Sequence, residues 1–305
     1  MIGTTGKRIG AATAALTLTL GLTACGSSDE GGSDGGDGGD GGDMTITMGI
    51  IPSWTDGLST AYLWKNILEE DGYTVEIQEI NDAAPLYTGL AEGDFDVYPS
   101  AWPEVTHASY MEEYGDDIED LGAYYDNAKL TMAVPEYSDL ESIEDLVGKS
   151  GDYDGKIVGI EAGAGLTKAV QEQVIPQYGL DEDGWELQTS STSAMLGALE
   201  EAVASEEDIV VTLWRPFWAN NEFPVRDLED PKGALGEAEG LHELATAGFS
   251  EEFPEVAEMM GNAKLDDEQY GTLEDQVVNE HEGDPAAGVE AWLADNQDWV
   301  DSLKG

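Results

Sequence analysis

The chain is poor in several residue types that usually announce a function. It has one cysteine, Cys25, in 305 residues, three histidines, and 12 Lys and Arg against 65 Asp and Glu. No apolar run reaches the roughly 20 residues a membrane-spanning helix needs. No G-x-S-x-G, Walker loop or H-E-x-x-H is present, so the common hydrolase, nucleotide and metalloprotease signatures are missing. His107, His242 and His281 are scattered without metal-ligand spacing and read as surface or helix-cap residues. No metal or other cofactor is expected. The formal charge of −53 repels nucleic acid and anionic lipid headgroups. In saline surroundings that self-repulsion is screened.

What is present begins with the position of the cysteine. Lys7 and Arg8 precede an uncharged stretch from Ile9 to Leu22, and Leu22-Thr23-Ala24-Cys25 closes it. A basic start, a short apolar core and small residues before a cut describe a secretory signal. A cysteine just after those small residues describes the bacterial lipoprotein kind. Residues 1–24 are therefore expected to leave, exposing Cys25 for acylation and placing the protein outside the cytoplasm, held to the membrane by lipid. Their loss removes two positive charges and no acid, taking −53 to −55. With Cys25 acylated, no thiol remains for a disulfide. Beyond Cys25, which opens the segment 25–43, residues 26–43 are glycine, serine and acid with no large apolar side chain. Such a segment cannot bury enough surface to order itself and reads as a flexible tether.

About 260 residues follow, enough for one large domain or two medium lobes. Short apolar runs alternate with segments of helical spacing. Met44–Ile51, Tyr73–Ile80 and Phe95–Tyr98 read as strands; Leu58–Glu70, Ala84–Glu92 and a segment opened by Pro103 and running to about Tyr114 read as helices. The pattern restarts with strands at Lys129–Val134, Lys156–Ile160, Trp185–Gln188 and Asp208–Leu213, and with helices at Ser142–Val147, before Tyr178 and at Ser193–Ala204. From Glu237 to Lys304 the chain reads as mostly helical. Alternation of this kind predicts an α/β fold with parallel sheets. Residues 44–124 form the first part of lobe one, 125–235 an inserted lobe two, and 236–305 the helical return. Such an arrangement implies a hinge and a cleft between the lobes.

The informative side chains are tryptophans. Trp54 follows the first strand, Trp102 the third, and Trp214 the last strand of lobe two. The carboxyl edge of an open α/β sheet is where ligands bind. Trp64 and Trp292 read as core. An aromatic face attracts a cation, and a quaternary ammonium group, which donates no hydrogen bond, is gripped best by several rings. Asp56 adds a charge or hydrogen-bond partner near Trp54, or caps a helix. Gly163-Ala164-Gly165 at a strand-to-helix turn offers backbone amides to a carboxylate, or packs tightly and nothing more.

Ser53-Trp54-Thr55-Asp56, the Asp96–Pro103 run DVYPSAWP, DGKIVGI at Asp154–Ile160 with the glycine turn, VTLWRPFW at Val211–Trp218 and LEDPKG at Leu228–Gly233 resemble the glycine betaine/choline-type substrate-binding proteins of ABC importers. The resemblance covers essentially everything after Met44. It implies a two-lobe periplasmic-binding-protein fold of type II, a permease and its ATPase subunit as partners, and Trp54, Trp102 and Trp214 around a trimethylammonium head. Glycine betaine is the first ligand implied, with choline and proline betaine behind it. In choline-type relatives an acid at the Asp56 position meets the hydroxyl. Three departures stand out. Leu130 occupies the place of a box tyrosine, which Tyr124 or Tyr125 would have to replace. Phe217 stands where many betaine-type relatives carry histidine, and Leu213 where glycine is usual, which would narrow the pocket. The alternatives from another class are an extracellular glycan-binding module or a carboxylate-based hydrolase; only Asp56 and Glu104 stand near the tryptophans to serve the latter.

The lipobox-like run generates a direct expectation. Cys25→Ser should move the protein from the membrane fraction to the soluble one. Unchanged fractionation would show that Cys25 is not the anchor.

Overall fold

A computed structural model describes residues 44–304. The signal stretch, Cys25 and the tether lie outside the described residues. The first sheet is built from β1 (Thr45–Ile50), α1 (Thr55–Glu70), β2 (Thr74–Glu79), α2 (Ala83–Glu92) and β3 (Val97–Ala101), with β1 parallel to both of the other strands. Local chemistry sets these boundaries. Asp82 caps α2 by accepting the N–H of Ala83, and Gly93 ends it in a left-handed conformation at φ 74°. Leu63, Trp64, Ile67 and Leu68 bury one face of α1 against the sheet.

After α3 (Ala108–Tyr114) comes β4 (Ile118–Pro135), an 18-residue strand shared by both lobes. Within the second lobe lie β5 (Lys156–Val158), α4 (Gly165–Ala169), a wide turn at Val170–Val174, α5 (Ile175–Tyr178), β6 (Glu186–Gln188), α6 (Thr192–Ser205), β7 (Val211–Arg215), α7 (Ala219–Glu222) and β8 (Val225–Asp227). The chain returns through β9 (Glu239–Thr246) to α8 (Phe249–Glu252), α9 (Pro254–Asn262), α10 (Asp267–Glu274), a second wide turn at Asp275–Glu280, α11 (Pro285–Asp295) and α12 (Gln297–Leu303). Helices α9 and α11 pack on β4 and α1 of the first lobe. None of the described helices is long and apolar enough to cross a membrane.

The strand order is β2-β1-β3-β9-β4-β7-β5-β6, with β8 paired to β4. Along β4 the partner changes. Ile118 to Ala128 pairs with β9, and Lys129 to Pro135 pairs with β7 and β8. One strand thus belongs to the sheet of each lobe, and its pairing with β9 shifts register at Asp120/Gly122, Ala123/Tyr125 and Tyr125/Ala128. Bulges of this kind bend and twist a strand. The second crossing is the segment between β8 and β9.

Several expectations change here. The sheets are not wholly parallel: β9 runs antiparallel to β3 and β4, and β4 antiparallel to β7. Glu239–Thr246 is a strand inside a stretch that reads as helical. It is central and buried on both faces, so it lacks the alternation that marks a half-buried strand. No helix starts at Pro103, because the Glu239 carboxylate gathers the N–H groups of Glu104, Val105 and Thr106 at 3.1, 2.9 and 2.9 Å and holds 103–107 as a loop. Ser142–Val147 tightens to a short 3₁₀ turn, Ile143–Leu146. Trp214 lies within β7 rather than past its end.

Trp64 and Trp292 are core residues, each with its indole N–H satisfied: Trp64 by Glu243 Oε1 at 2.5 Å and Trp292 by Thr272 Oγ1 at 3.0 Å. Packing is tight at Gly49 of β1, where a Cβ atom would stand 2.5 Å from the Phe95 ring. Gly49→Val should therefore cost about 1–3 kcal/mol through overpacking. Urea denaturation checks this, and an unchanged midpoint would show that the ring yields freely.

Candidate functional site

The cleft between the lobes holds a cavity with about 330 Å³ of empty space, partly open to solvent. Trp54, Asp56 and Trp102 line it from the first lobe, and Ala164, Gly165 and Trp214 from the second. Six of the residues singled out in the sequence thus meet at one place, although they span 160 positions of chain. All three indoles are buried, as is Asp56.

The Trp102 ring is set by the first lobe alone. Asp56, in the first turn of α1, accepts the Trp102 indole N–H at 3.1 Å and the Ser100 hydroxyl at 2.8 Å, both on Oδ2. Ser100 also meets the Tyr124 hydroxyl at 2.7 Å. Burial raises the Asp56 carboxyl above its ordinary pKa, against the lowering effect of these donors. Trp54 occupies the residue before α1. Its ring stacks on His107 at 6.0 Å between centroids and 12° between planes, and its N–H reaches Glu161 Oε2 at 3.2 Å from the second lobe. Trp214 faces Leu130 across the β7–β4 ladder and stacks on Phe217 at 3.9 Å and 24°. Phe217 therefore backs the third ring and does not line the cavity.

His107 is a residue the sequence reading misplaced. It is neither on the surface nor capping through its side chain; it is buried and lines the cavity. Its Nδ1 receives the Trp102 backbone N–H at 3.3 Å and lies 3.0 Å from the Tyr87 hydroxyl. An Nδ1 that accepts carries no proton, so the neutral ring bears its hydrogen on Nε2. Burial lowers its pKa to about 3, which keeps it neutral at physiological pH. The signal that could have found it is its place five residues past Trp102 on the same loop.

The glycine turn divides. Ala164 and Gly165 line the cavity and open α4. A Cβ at Gly165 would stand 2.1 Å from the carbonyl oxygen of Thr106 in the opposite lobe. Gly163 is outside the cavity lining. Its N–H goes to Asp82 Oδ2 at 3.2 Å and its carbonyl accepts the Tyr110 hydroxyl at 2.8 Å, so it abuts the first lobe. Neither Tyr124 nor Tyr125 replaces the missing tyrosine wall: Tyr124 lies behind Asp56 with Ser100, and Tyr125 donates to Asp267 at 2.9 Å. Leu130 lines the cavity itself, whereas Leu213 does not. Among the described residues no group of three or more His, Cys, Asp and Glu could hold a metal ion.

The chain matches, over residues 44–295, the family described as the substrate binding domain of ABC-type glycine betaine transport systems. It belongs to that family. Among curated relatives it is 36% identical over 156 residues to the glycine betaine/carnitine transport binding protein GbuC of Listeria monocytogenes, a match covering 48% of this chain and 50% of that one. The match thus spans about half the length of that relative. Two solved structures of the family superpose over most of the chain. The glycine betaine/L-proline-binding protein ProX of Borrelia burgdorferi is 29% identical at a TM-score of 0.78, covering 85% of this chain and 96% of its own. Lactococcal OpuAC, closed on glycine betaine, is 28% identical at 0.78, covering 86% and 99%. The members are transport binding domains, and the two-lobe type II fold seen here is theirs.

Behind the cavity, Glu274 of α10 accepts the Thr55 hydroxyl, one residue from Asp56. Burial, with the nearby charge of Asp56 adding to it, pushes its pKa up to about 8. Its folded pKa lies above the ordinary glutamate value, so the folded state keeps a proton that the unfolded state has lost. That stability is complete below about pH 4.5 and disappears as pH rises through about 8. The melting temperature of wild type should accordingly fall relative to Glu274→Gln between pH 5 and about 8.5. Parallel curves for the two proteins would show that Glu274 titrates normally.

Proposed function

We propose that this chain is the extracytoplasmic binding component of an ABC importer and captures a quaternary ammonium compound, with glycine betaine the preferred ligand. The observation that carries the reading is three buried indoles converging from two lobes on one cavity. Two of them have their N–H groups engaged by carboxylates, Trp102 by Asp56 and Trp54 by Glu161. An indole whose N–H donates to an anion becomes more electron-rich on its face, which favours a cation placed over it. Each such contact contributes about 0.5–2 kcal/mol when desolvated, and methyl burial adds roughly 0.8 kcal/mol per group. Together they approach the roughly 8 kcal/mol of micromolar affinity.

The other end of the ligand decides between candidates. A carboxylate needs donors. His107 supplies Nε2–H, and the start of α4 at Gly165 and Leu166 supplies first-turn amides that have no intrahelical acceptor. A choline hydroxyl would need Asp56, whose Oδ2 is already shared by Ser100 and Trp102, so that only Oδ1 would remain for it, against the several donors facing a carboxylate. The donor set therefore supports glycine betaine over choline. Glycine betaine is in the names of both relatives, and the carnitine named with it for one of them carries the same trimethylammonium group, which supports this ligand class. Trp54, Asp56, Trp102, Trp214, Ala164, Gly165 and His107 form the binding surface, with Gly163 holding the turn against the first lobe. The partners in this reading are a permease and its ATPase subunit, and attachment is through lipid on Cys25.

Calorimetric titration tests it. Wild type should bind glycine betaine with roughly micromolar affinity. Trp102→Ala should weaken binding about tenfold or more while keeping the melting temperature of the free protein close to wild type. No binding to glycine betaine, choline, proline betaine, carnitine or proline would overturn the reading. Choline displacing betaine at equal concentration, with no displacement the other way, would overturn the ranking.

A further inference from the structure

The two engaged tryptophans differ in where their acceptors come from. Asp56 and Trp102 are both in the first lobe, so that pair persists whatever the lobes do. Trp54 is in the first lobe and Glu161 in the second. The Glu161 carboxylate is already placed by its own lobe: Oε1 accepts the Thr192 N–H at 2.9 Å at the start of α6, and Oε2 accepts the Thr192 hydroxyl at 2.8 Å. Its remaining capacity crosses the cleft, to the Trp54 N–H at 3.2 Å and more loosely to the Ser53 hydroxyl at 3.4 Å. The group is buried, and Thr167 ties its backbone carbonyl at 2.8 Å. It is thus a rigid acceptor, held ready on one lobe for a ring on the other.

We infer that Glu161 is a positioning residue that couples the Trp54 wall to lobe closure: the indole, stacked on His107 of its own lobe, is fixed against the ligand when its N–H finds the carboxylate across the cleft. This rests on the reading that the cavity takes a quaternary ammonium group. A ligand shifts a conformational equilibrium only through its differential affinity for the two states. A wall completed by closure supplies that difference, whereas the Trp102 wall does not. The effect therefore belongs to ligand release. With the Glu161 bond gone, the closed complex opens sooner, while encounter with the open cleft is unchanged.

The test is stopped-flow tryptophan fluorescence with glycine betaine on wild type, Glu161→Gln, Trp54→Phe and the double variant. Glu161→Gln keeps the size of the side chain and an oxygen for Thr192. Trp54→Phe keeps an aromatic wall without the N–H. Each single variant should raise the dissociation rate roughly tenfold or more, as expected for a hydrogen bond to a charged group, with the association rate within about twofold of wild type. The double variant should be no worse than the more affected single one, because both changes remove the same bond. Independent, multiplying effects would overturn the inference. So would a wild-type dissociation rate in Glu161→Gln, or a lowered melting temperature of its ligand-free form with unaltered release. If Glu161→Gln does not fold, Trp54→Phe alone decides, since a wild-type release rate in it shows that the N–H does not matter. Wild type that binds no quaternary ammonium ligand at all removes the functional reading together with this one. Wild type that binds, with release rates unmoved in the variants, removes only the role of Glu161.

Discussion

The structure depends on the continuity of one strand. β4 leaves the first sheet at Ala128 and enters the second at Lys129 without ending, so both lobes hang on a shared run of backbone hydrogen bonds. Such a run resists stretching but tolerates bending and twisting, and its bulged register with β9 places the tolerance on the first-lobe side. The second crossing enters β9 at Glu239, opposite Ala128. The Glu239 carboxylate then organises the loop bearing Trp102, Thr106 and His107. The joint between the lobes and the wall of the cavity are therefore one hydrogen-bonded unit.

Buried acids recur in this unit. Asp56, Glu161, Glu239, Glu243 and Glu274 are all buried in a chain whose other acids face water in large numbers. Each accepts an indole, hydroxyl or backbone N–H, as buried carboxyls must if they are not to destabilise the fold. The composition that makes the surface so negative also supplies the acceptors that aim aromatic rings. A histidine with its proton on Nε2 supplies a donor where lysine and arginine are scarce.

Much of this was legible in the chain and some was not. The gathering of the tryptophans was readable because Trp54 and Trp102 follow the carboxyl ends of strands, the edge of an α/β sheet at which clefts form, whereas Trp214 proved to lie inside β7. The fold class followed from alternating periods and from the resemblance of several motifs in order. β9 escaped because burial on both faces removes the alternation by which a strand shows itself. His107 escaped because a single histidine carries no pattern; only the loop held by Glu239 turns it inward. The linkage of Trp54 to Glu161 joins positions 107 residues apart, and no local spacing encodes it. The glycine turn was half legible: spacing marked it, but only the packing shows Gly163 bound to Asp82 and Gly165 facing the cavity.

Gly165 also bears on how such a protein can change. Its missing side chain lets the turn come down onto the Thr106 carbonyl. A methyl group there would act as a doorstop, leaving the first-lobe rings Trp54 and Trp102 in place while holding the second lobe ajar. Grip strength could then drift by way of the gap without any change in which molecule is recognised. On the proposed reading of the cavity, residues at the rim where the halves touch would tune retention, and the rings would keep chemical identity. The two properties can thus vary separately in this scaffold.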